Sequence, residues 1–179
     1  KKRHSLPAFI MGGGQEGGFR SSTENTPGIA GLGLAAQMSY SDLRMKMSRM
    51  GMVNDYLLNG LRSEISDITV NGPEELGYTM LDHGRRCPGV LNVTFEGTRG
   101  EGLLHTLEQD GIYVSTGSAC SSNKTGDSHV LKAMSMTHRQ IEGAVRFSFS
   151  EFNTVEEMDF VIERTKNAVE RFRRLGSFR

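Results

Sequence analysis

Tryptophan is absent from this 179-residue chain, cysteine occurs only twice and proline only four times. Two distant cysteines, Cys87 and Cys120, with no CxxC spacing argue against a disulfide framework and against a zinc site. They fit a reducing compartment, so the expected location is the cytoplasm. An excess charge of one sign is also missing, because 21 basic residues face 21 acidic ones. That balance leaves no electrostatic case for nucleic acid or for an anionic membrane surface. No apolar run approaches the ~20 residues of a membrane span. Lys1-Lys2-Arg3-His4 leads into Pro7 and a glycine run, not into the apolar core of a signal peptide.

Glycine is plentiful, with 22 residues, and it concentrates first in Gly12-Gly13-Gly14 and Gly17-Gly18. Thr26-Pro27 then reads as an N-cap with proline at the first helical position. Ile29, Leu32, Ala36, Leu43, Met47, Met50, Leu57 and Leu61 recur at helical steps, which predicts one long helix with an apolar stripe. Asn54 interrupts that stripe, and Gly51 and Gly60 weaken it. Short strands are expected at Ile68–Val70, Val90–Phe95, Ile112–Val114 and around Val145–Phe149, the last with Arg146 on the face opposite its apolar neighbours. Residues 101–109 predict a short helix, and Asp127 is the expected cap of another running to Met134. Thr137 with Gln140 and Thr154 with Glu157 have capping-box spacing. The final helix steps through Val155, Met158, Ile162, Thr165, Val169 and Phe172 and ends in Arg171, Arg173 and Arg174, read as a solvated, dipole-favoured terminus. The fold class expected is α+β, a small sheet covered by helices.

Three places could carry chemistry. Cys120 lies in Ser115-Thr116-Gly117-Ser118-Ala119-Cys120-Ser121-Ser122, within a polar stretch running to Asp127. Small neighbours leave such a thiol accessible to a sulfur donor and then to an acceptor. Arg146 reads either as a solvated residue, the simpler choice from pattern alone, or as a planar clamp for a carboxylate. The segment from Gly12 to Thr23 could cradle phosphate, but it matches no Walker or Rossmann frame, and a flexible connector is the simpler reading. Cys87 reads as a partly buried small residue before Pro88-Gly89. His105, His129 and His138 have no metal-ligand spacing, and no metal site is expected.

Taken in order, these segments resemble the C-terminal part of the pyridoxal-phosphate-dependent cysteine desulfurases, of the class V aminotransferase superfamily and fold type I. The resemblance is carried by Gly12-Gly13-Gly14-Gln15-Glu16, by the run from Arg20 to Pro27, and by Leu91-Asn92-Val93 with Glu101-Gly102-Leu103-Leu104. It continues through Gly117-Ser118-Ala119-Cys120, Ser128-His129-Val130-Leu131, Val145-Arg146-Phe147-Ser148 and Thr154–Asp159. The Ser-Ala-Cys stretch is similar to the NifS and IscS subgroup. The family has His where Met11 stands, a basic residue at Gly18 and Gly at Ser22.

That resemblance implies a cysteine desulfurase. Cys120 would take sulfur from L-cysteine held on pyridoxal 5'-phosphate, leaving alanine and a Cys120 persulfide. Arg146 would hold the substrate carboxylate, and Thr23 would bond the cofactor phosphate, in a homodimer that of the partner subunit. The persulfide would pass to an acceptor protein, such as an iron–sulfur scaffold or a tRNA-thiolation protein. Residues 1–26 would close the large-domain segment, 27–64 would form the connecting helix, and 65–179 the small C-terminal α+β domain. The Schiff-base lysine, stacking histidine and pyridinium-binding aspartate have no counterpart here, so the chain is expected to be a fragment inactive alone. The alternatives are a non-catalytic small domain acting as persulfide relay or dimerisation partner, and part of a selenocysteine lyase.

Overall fold

The computed structural model describes residues 7–77, 85–117 and 127–176. It forms two compact units, Lys1–Leu43 and Arg44–Arg179.

In the first unit, Phe9 N donates to Phe19 O at 2.8 Å and Ser21 N to Ile10 O at 2.9 Å, laying the two backbone stretches side by side. Between them the glycine run turns through a 3-10 segment, Glu16–Gly18. Helix α1, Thr26–Tyr40, begins one residue earlier than the Thr-Pro pair implies: Asn25 is the N-cap, its side chain accepting from Gly28 N. Helix α1 buries none of its residues.

The expected single long helix is two. The chain leaves helical geometry at Ser41 (φ −62°, ψ 128°), and Asp42 adopts φ 55° before α2, Leu43–Glu64, starts. The break is at neither Gly51 nor Gly60, both inside α2. Helical steps continued through it because a two-residue interruption without Gly or Pro leaves no mark in an apolar pattern. The stripe describes α2, where Leu57 and Leu61 are buried, and fails for α1, where Ile29 and Leu32 are exposed.

In the second unit, three antiparallel strands, β1 Ile68–Val70, β2 Val90–Phe95 and β3 Ala144–Ser148, pair in the order β1-β2-β3. Alternation places Leu91, Val93, Phe95, Val145 and Phe147 on one face, all buried with Leu57, Leu61, Leu103, Met158, Ile162 and Val169. These come from α2, from α3 (Gly100–Gln109) and from α6 (Val155–Arg174). Each fully buried Leu, Val or Phe contributes about 1.5–3 kcal/mol, so this shared layer is what holds the sheet to its helices.

Both capping boxes form, Thr137–Gln140 starting α5 (His138–Glu142) and Thr154–Glu157 starting α6. Helix α4, His129–Ala133, is capped by Ser128 and not by Asp127. At the C-terminal end of α6 the three arginines divide. Arg171 and Arg174 are exposed, whereas Arg173 donates to the carbonyls of Glu96 and Ser66, each at 2.9 Å, and of Asp67 at 3.2 Å.

Asn54 is fully buried and makes the stripe's interruption structural. Its Nδ2 donates to Pro88 O at 2.9 Å and Val90 O at 3.2 Å, and its Oδ1 accepts from the buried Arg86. This side chain fastens the lead-in to β2 onto α2. Cys87, within that lead-in, is exposed and not partly buried.

Candidate active-site elements

The face of the sheet opposite the core is divided. At one end Leu131 of α4, Ile141 of α5 and Ala144 form a small satellite cluster with Met136 packed against it. Thr94 Oγ1 reaches Gln140 O at 3.0 Å, and Asn71 Nδ2 bonds both Asn92 Oδ1 (2.6 Å) and Thr94 Oγ1 (2.9 Å). At the other end Arg146 and Ser148 are exposed. In register, Asn92 lies opposite Arg146 and Val90 opposite Ser148. Strand alternation thus puts the Arg146 guanidinium on the uncovered half of a sheet whose other face is core. Asn92, half-buried beside it, was missed as a site neighbour. Its signal was present in the same-face period of Asn92 and Thr94.

Residues 112–114, expected as a strand, are not one. Of residues 112–115 it is Ser115 that pairs with the outer edge of β3, where its N donates to Arg146 O at 3.0 Å and its O accepts from Arg146 N at 2.7 Å. An apolar triplet resembles a strand whether or not an edge is there to receive it. Beyond Ser115, Thr116 packs near Gly100, and Gly117 lies against Ser128: a Cβ on Gly117 would sit 2.9 Å from Ser128 Cβ. Residues 118–126, Cys120 among them, lie outside the described residues. On their far side Asp127 Oδ1 is 2.6 Å from His138 Nδ1, and Oδ2 is 3.3 Å from Lys132 Nζ. The His138 hydrogen bond, helped by Lys132, holds the Asp127 carboxyl below the usual carboxylate range.

Thr23 belongs to the first unit and is exposed. Before it, Ser21 is buried with its Oγ accepting from Gly14 N at 3.3 Å, and Ser22 N donates to Gln15 Oε1 at 3.2 Å. Arg20 Nη1 donates to the carbonyls of Ser22 and Thr23, which ties the turn together. Ser22 has φ 80°, a left-handed conformation that favours glycine. The exposed hydroxyls of Ser22 and Thr23 beside a guanidinium form a donor set whose chemistry fits a phosphate monoester.

A cleft of about 510 Å³ opens between residues 110–114, the end of β3 and the start of α6, lined among others by Leu57, Tyr113, Phe149, Met158 and Phe160. Of the sequence-selected site residues that are described, neither Thr23 nor Arg146 lines it. Among the described residues no cluster of His, Cys, Asp or Glu is disposed to hold a metal ion. Among those residues, too, no helix is long and apolar enough to cross a membrane.

Comparison with known proteins adds a family. The cysteine desulfurase IscS of Clostridium botulinum is 38% identical over 155 residues, covering 87% of this chain and 37% of that protein. A cysteine desulfurase of Nostoc is 37% identical over 171 residues, covering 96% of this chain and 40% of that protein. The chain therefore spans about two fifths of the length of these relatives. Among solved structures, a NifS-like protein matches with a TM-score of 0.71 at 31% identity, over 95% of this chain and 40% of its own. A NifS-like protein from Rickettsia africae matches with a TM-score of 0.72 at 25% identity, over 93% of this chain and 41% of its own. The α+β class expected from the sequence is the observed one, shared with fold type I enzymes. The match to the aminotransferase class-V family runs over residues 11–161, from the glycine turn through β3 into α6, and the chain belongs to that family.

Proposed function

We propose that this chain is the C-terminal part of a pyridoxal-phosphate-dependent cysteine desulfurase. Its relatives' activity and the placement of Arg146 support this reading. The observation that carries it is the Ser115–Arg146 pair: one short edge pairing joins the stretch bearing a thiol to the strand bearing a carboxylate-binding fork.

Arg146 binds the α-carboxylate of L-cysteine through its planar fork and so orients the substrate sulfur. Cys120, as thiolate, accepts that sulfur. The substrate C–S bond breaks, an S–S bond forms on Cys120, and the substrate carbon skeleton leaves as alanine once protonated. Cysteine and thiol thus become alanine and persulfide, with no outside oxidant. Pyridoxal phosphate, when bound, supplies the electron sink that lets the C–S bond break. Thr23 holds its phosphate, in a homodimer that of the partner subunit. The cofactor-anchoring lysine comes from sequence outside these 179 residues, and this piece alone is inactive.

Helix α1 supports a larger enzyme. It contains no Asp, Glu, Lys or Arg, and it exposes Ile29, Leu32, Leu34, Met38 and Tyr40. A helix this apolar with nothing buried suits a surface covered by more protein. The persulfide then passes to an acceptor protein of an iron–sulfur or thiolation pathway, in the reducing cytoplasm. The test is absorbance: this chain mixed with pyridoxal phosphate is expected to develop no protein-bound cofactor band, and the full-length enzyme is expected to show one. A stable band on the chain alone would overturn the fragment reading.

A further inference from the structure

A row of polar side chains crosses the face of the sheet opposite the core. Asn71 continues the β1–β2 register beyond Val70, its backbone N donating to Asn92 O at 2.9 Å. Asn92 lies opposite Arg146, and Ser115 lies opposite Arg146 on the other side. Directly opposed residues of antiparallel strands share a face, with Cβ atoms about 4.5–5.5 Å apart. The row therefore runs Asn71, Asn92, Arg146, Ser115.

The Asn92 amide has a fixed sense within this row. Thr94 Oγ1 is 3.0 Å from Gln140 O, a carbonyl that can only accept, so the hydroxyl proton goes there. Thr94 Oγ1 must then accept from Asn71 Nδ2, at 2.9 Å. The same Nδ2 donates to Asn92 Oδ1 at 2.6 Å. With Oδ1 turned toward Asn71 on the β1 side, Asn92 Nδ2 is left on the Arg146 side. Among the described residues nothing accepts from Asn92 Nδ2, and nothing pairs with the Arg146 guanidinium. Neither group can satisfy the other, because both are donors. A carboxylate, with two oxygens and about four lone-pair sites, can accept from both at once.

We propose that Asn92 is a second binding residue for the α-carboxylate of the amino-acid substrate, donating from Nδ2 beside Arg146, and that Asn71 is the positioning residue that orients its amide. The proposal rests on reading Arg146 as the carboxylate clamp of a cysteine desulfurase. The longer Arg146 side chain, exposed in this structure, folds over β2 when substrate binds and brings the carboxylate above Asn92. Two bonds from Arg146 alone leave the carboxylate free to hinge about the guanidinium. A third donor from the neighbouring strand fixes its plane, and with it the direction of the substrate side chain.

The experiment measures kcat and KM for L-cysteine in the full-length enzyme, with competitive inhibition by two probes. One is L-alanine; the other is ethylamine, the same skeleton without the carboxylate. Asn92→Ala and Asn92→Val, the latter a strand former, are each expected to raise KM and the alanine inhibition constant about tenfold, as for loss of a hydrogen bond to a charged group. Inhibition by ethylamine should not change. Asn71→Ala is expected to weaken alanine about threefold and to add nothing to Asn92→Ala. An alanine constant unchanged in both Asn92 variants, or equal weakening of alanine and ethylamine, would overturn the assignment of Asn92. Additive effects of Asn71→Ala and Asn92→Ala would overturn the positioning role of Asn71. Arg146→Ala separates the two readings, because it too should weaken alanine and spare ethylamine. If it leaves alanine binding intact, the clamp reading fails and this proposal with it. If it weakens alanine while the Asn92 variants do not, the proposal alone fails.

Discussion

Ser115 and Arg146 exchange both backbone hydrogen bonds, at 3.0 and 2.7 Å, on the outer edge of β3. Cys120 lies five residues after the first of these and the candidate carboxylate clamp is the second. A shift of β3 therefore moves the start of the thiol-bearing stretch and the clamp together.

Arg146→Ala should weaken cysteine binding. Hydrogen bonds to charged groups are worth about 1.5–3 kcal/mol, so KM for cysteine in the full-length enzyme should rise about 10- to 100-fold. Pairing at the strand edge uses the Arg146 backbone and survives the substitution, so circular dichroism should not change. An unchanged KM would remove Arg146 from the substrate site.

Asn54→Leu should destabilise the enzyme by about 3 kcal/mol, read as a lower denaturant midpoint. It removes the donor to Pro88 O and Val90 O and the acceptor of a buried arginine. A cost below about 1 kcal/mol would mean that the network contributes little net stability.

Ser22→Gly should stabilise. A non-glycine residue in the left-handed region costs about 1–2 kcal/mol, and the added freedom of glycine in the unfolded chain offsets about 0.4–1 kcal/mol of the relief. The net expectation is a gain of about 0.5–1 kcal/mol in the unfolding free energy of the full-length enzyme. A loss would show that Ser22 makes a contact worth more than its strain.

The Asp127 carboxyl should titrate below its ordinary value of 3.8. A depressed folded-state pKa stabilises the fold above the unfolded-state value, and the contribution disappears as pH falls through the folded value. Among the described residues, His138, Lys132 and, beyond His138, Glu142 face it. The stabilisation should therefore be complete at pH 6 and lost only well into acid, below about pH 4. A carboxyl titration followed by NMR that placed Asp127 at or above the ordinary value would contradict its hydrogen bond to His138.

What was legible in the sequence was local chemistry. Thr137 with Gln140 and Thr154 with Glu157 announced their helices because a capping box is complete within four residues. Strand alternation put Arg146 on the correct face for the same reason. The misreadings depended on distant partners. Ile112–Val114 lacks a strand because, of residues 112–115, it is Ser115 that pairs with β3, and Asp127 looked like a cap until His138, eleven residues on, took its carboxylate. Asn54 looked like a flaw in an apolar stripe because its partners lie more than thirty residues away. The break at Ser41–Asp42 has neither glycine nor proline to mark it. Thr23 lies on an exposed turn.

The most direct test follows sulfur onto Cys120. The full-length enzyme, loaded with pyridoxal phosphate, is given one equivalent of L-cysteine without an acceptor, and the Cys120 peptide is examined by mass spectrometry alongside the alanine released. One added sulfur on Cys120 per alanine is expected, with both lost in Cys120→Ser and cofactor absorbance retained. Alanine and persulfide formed as fast by Cys120→Ser, or sulfur found on Cys87 instead, would contradict the assignment.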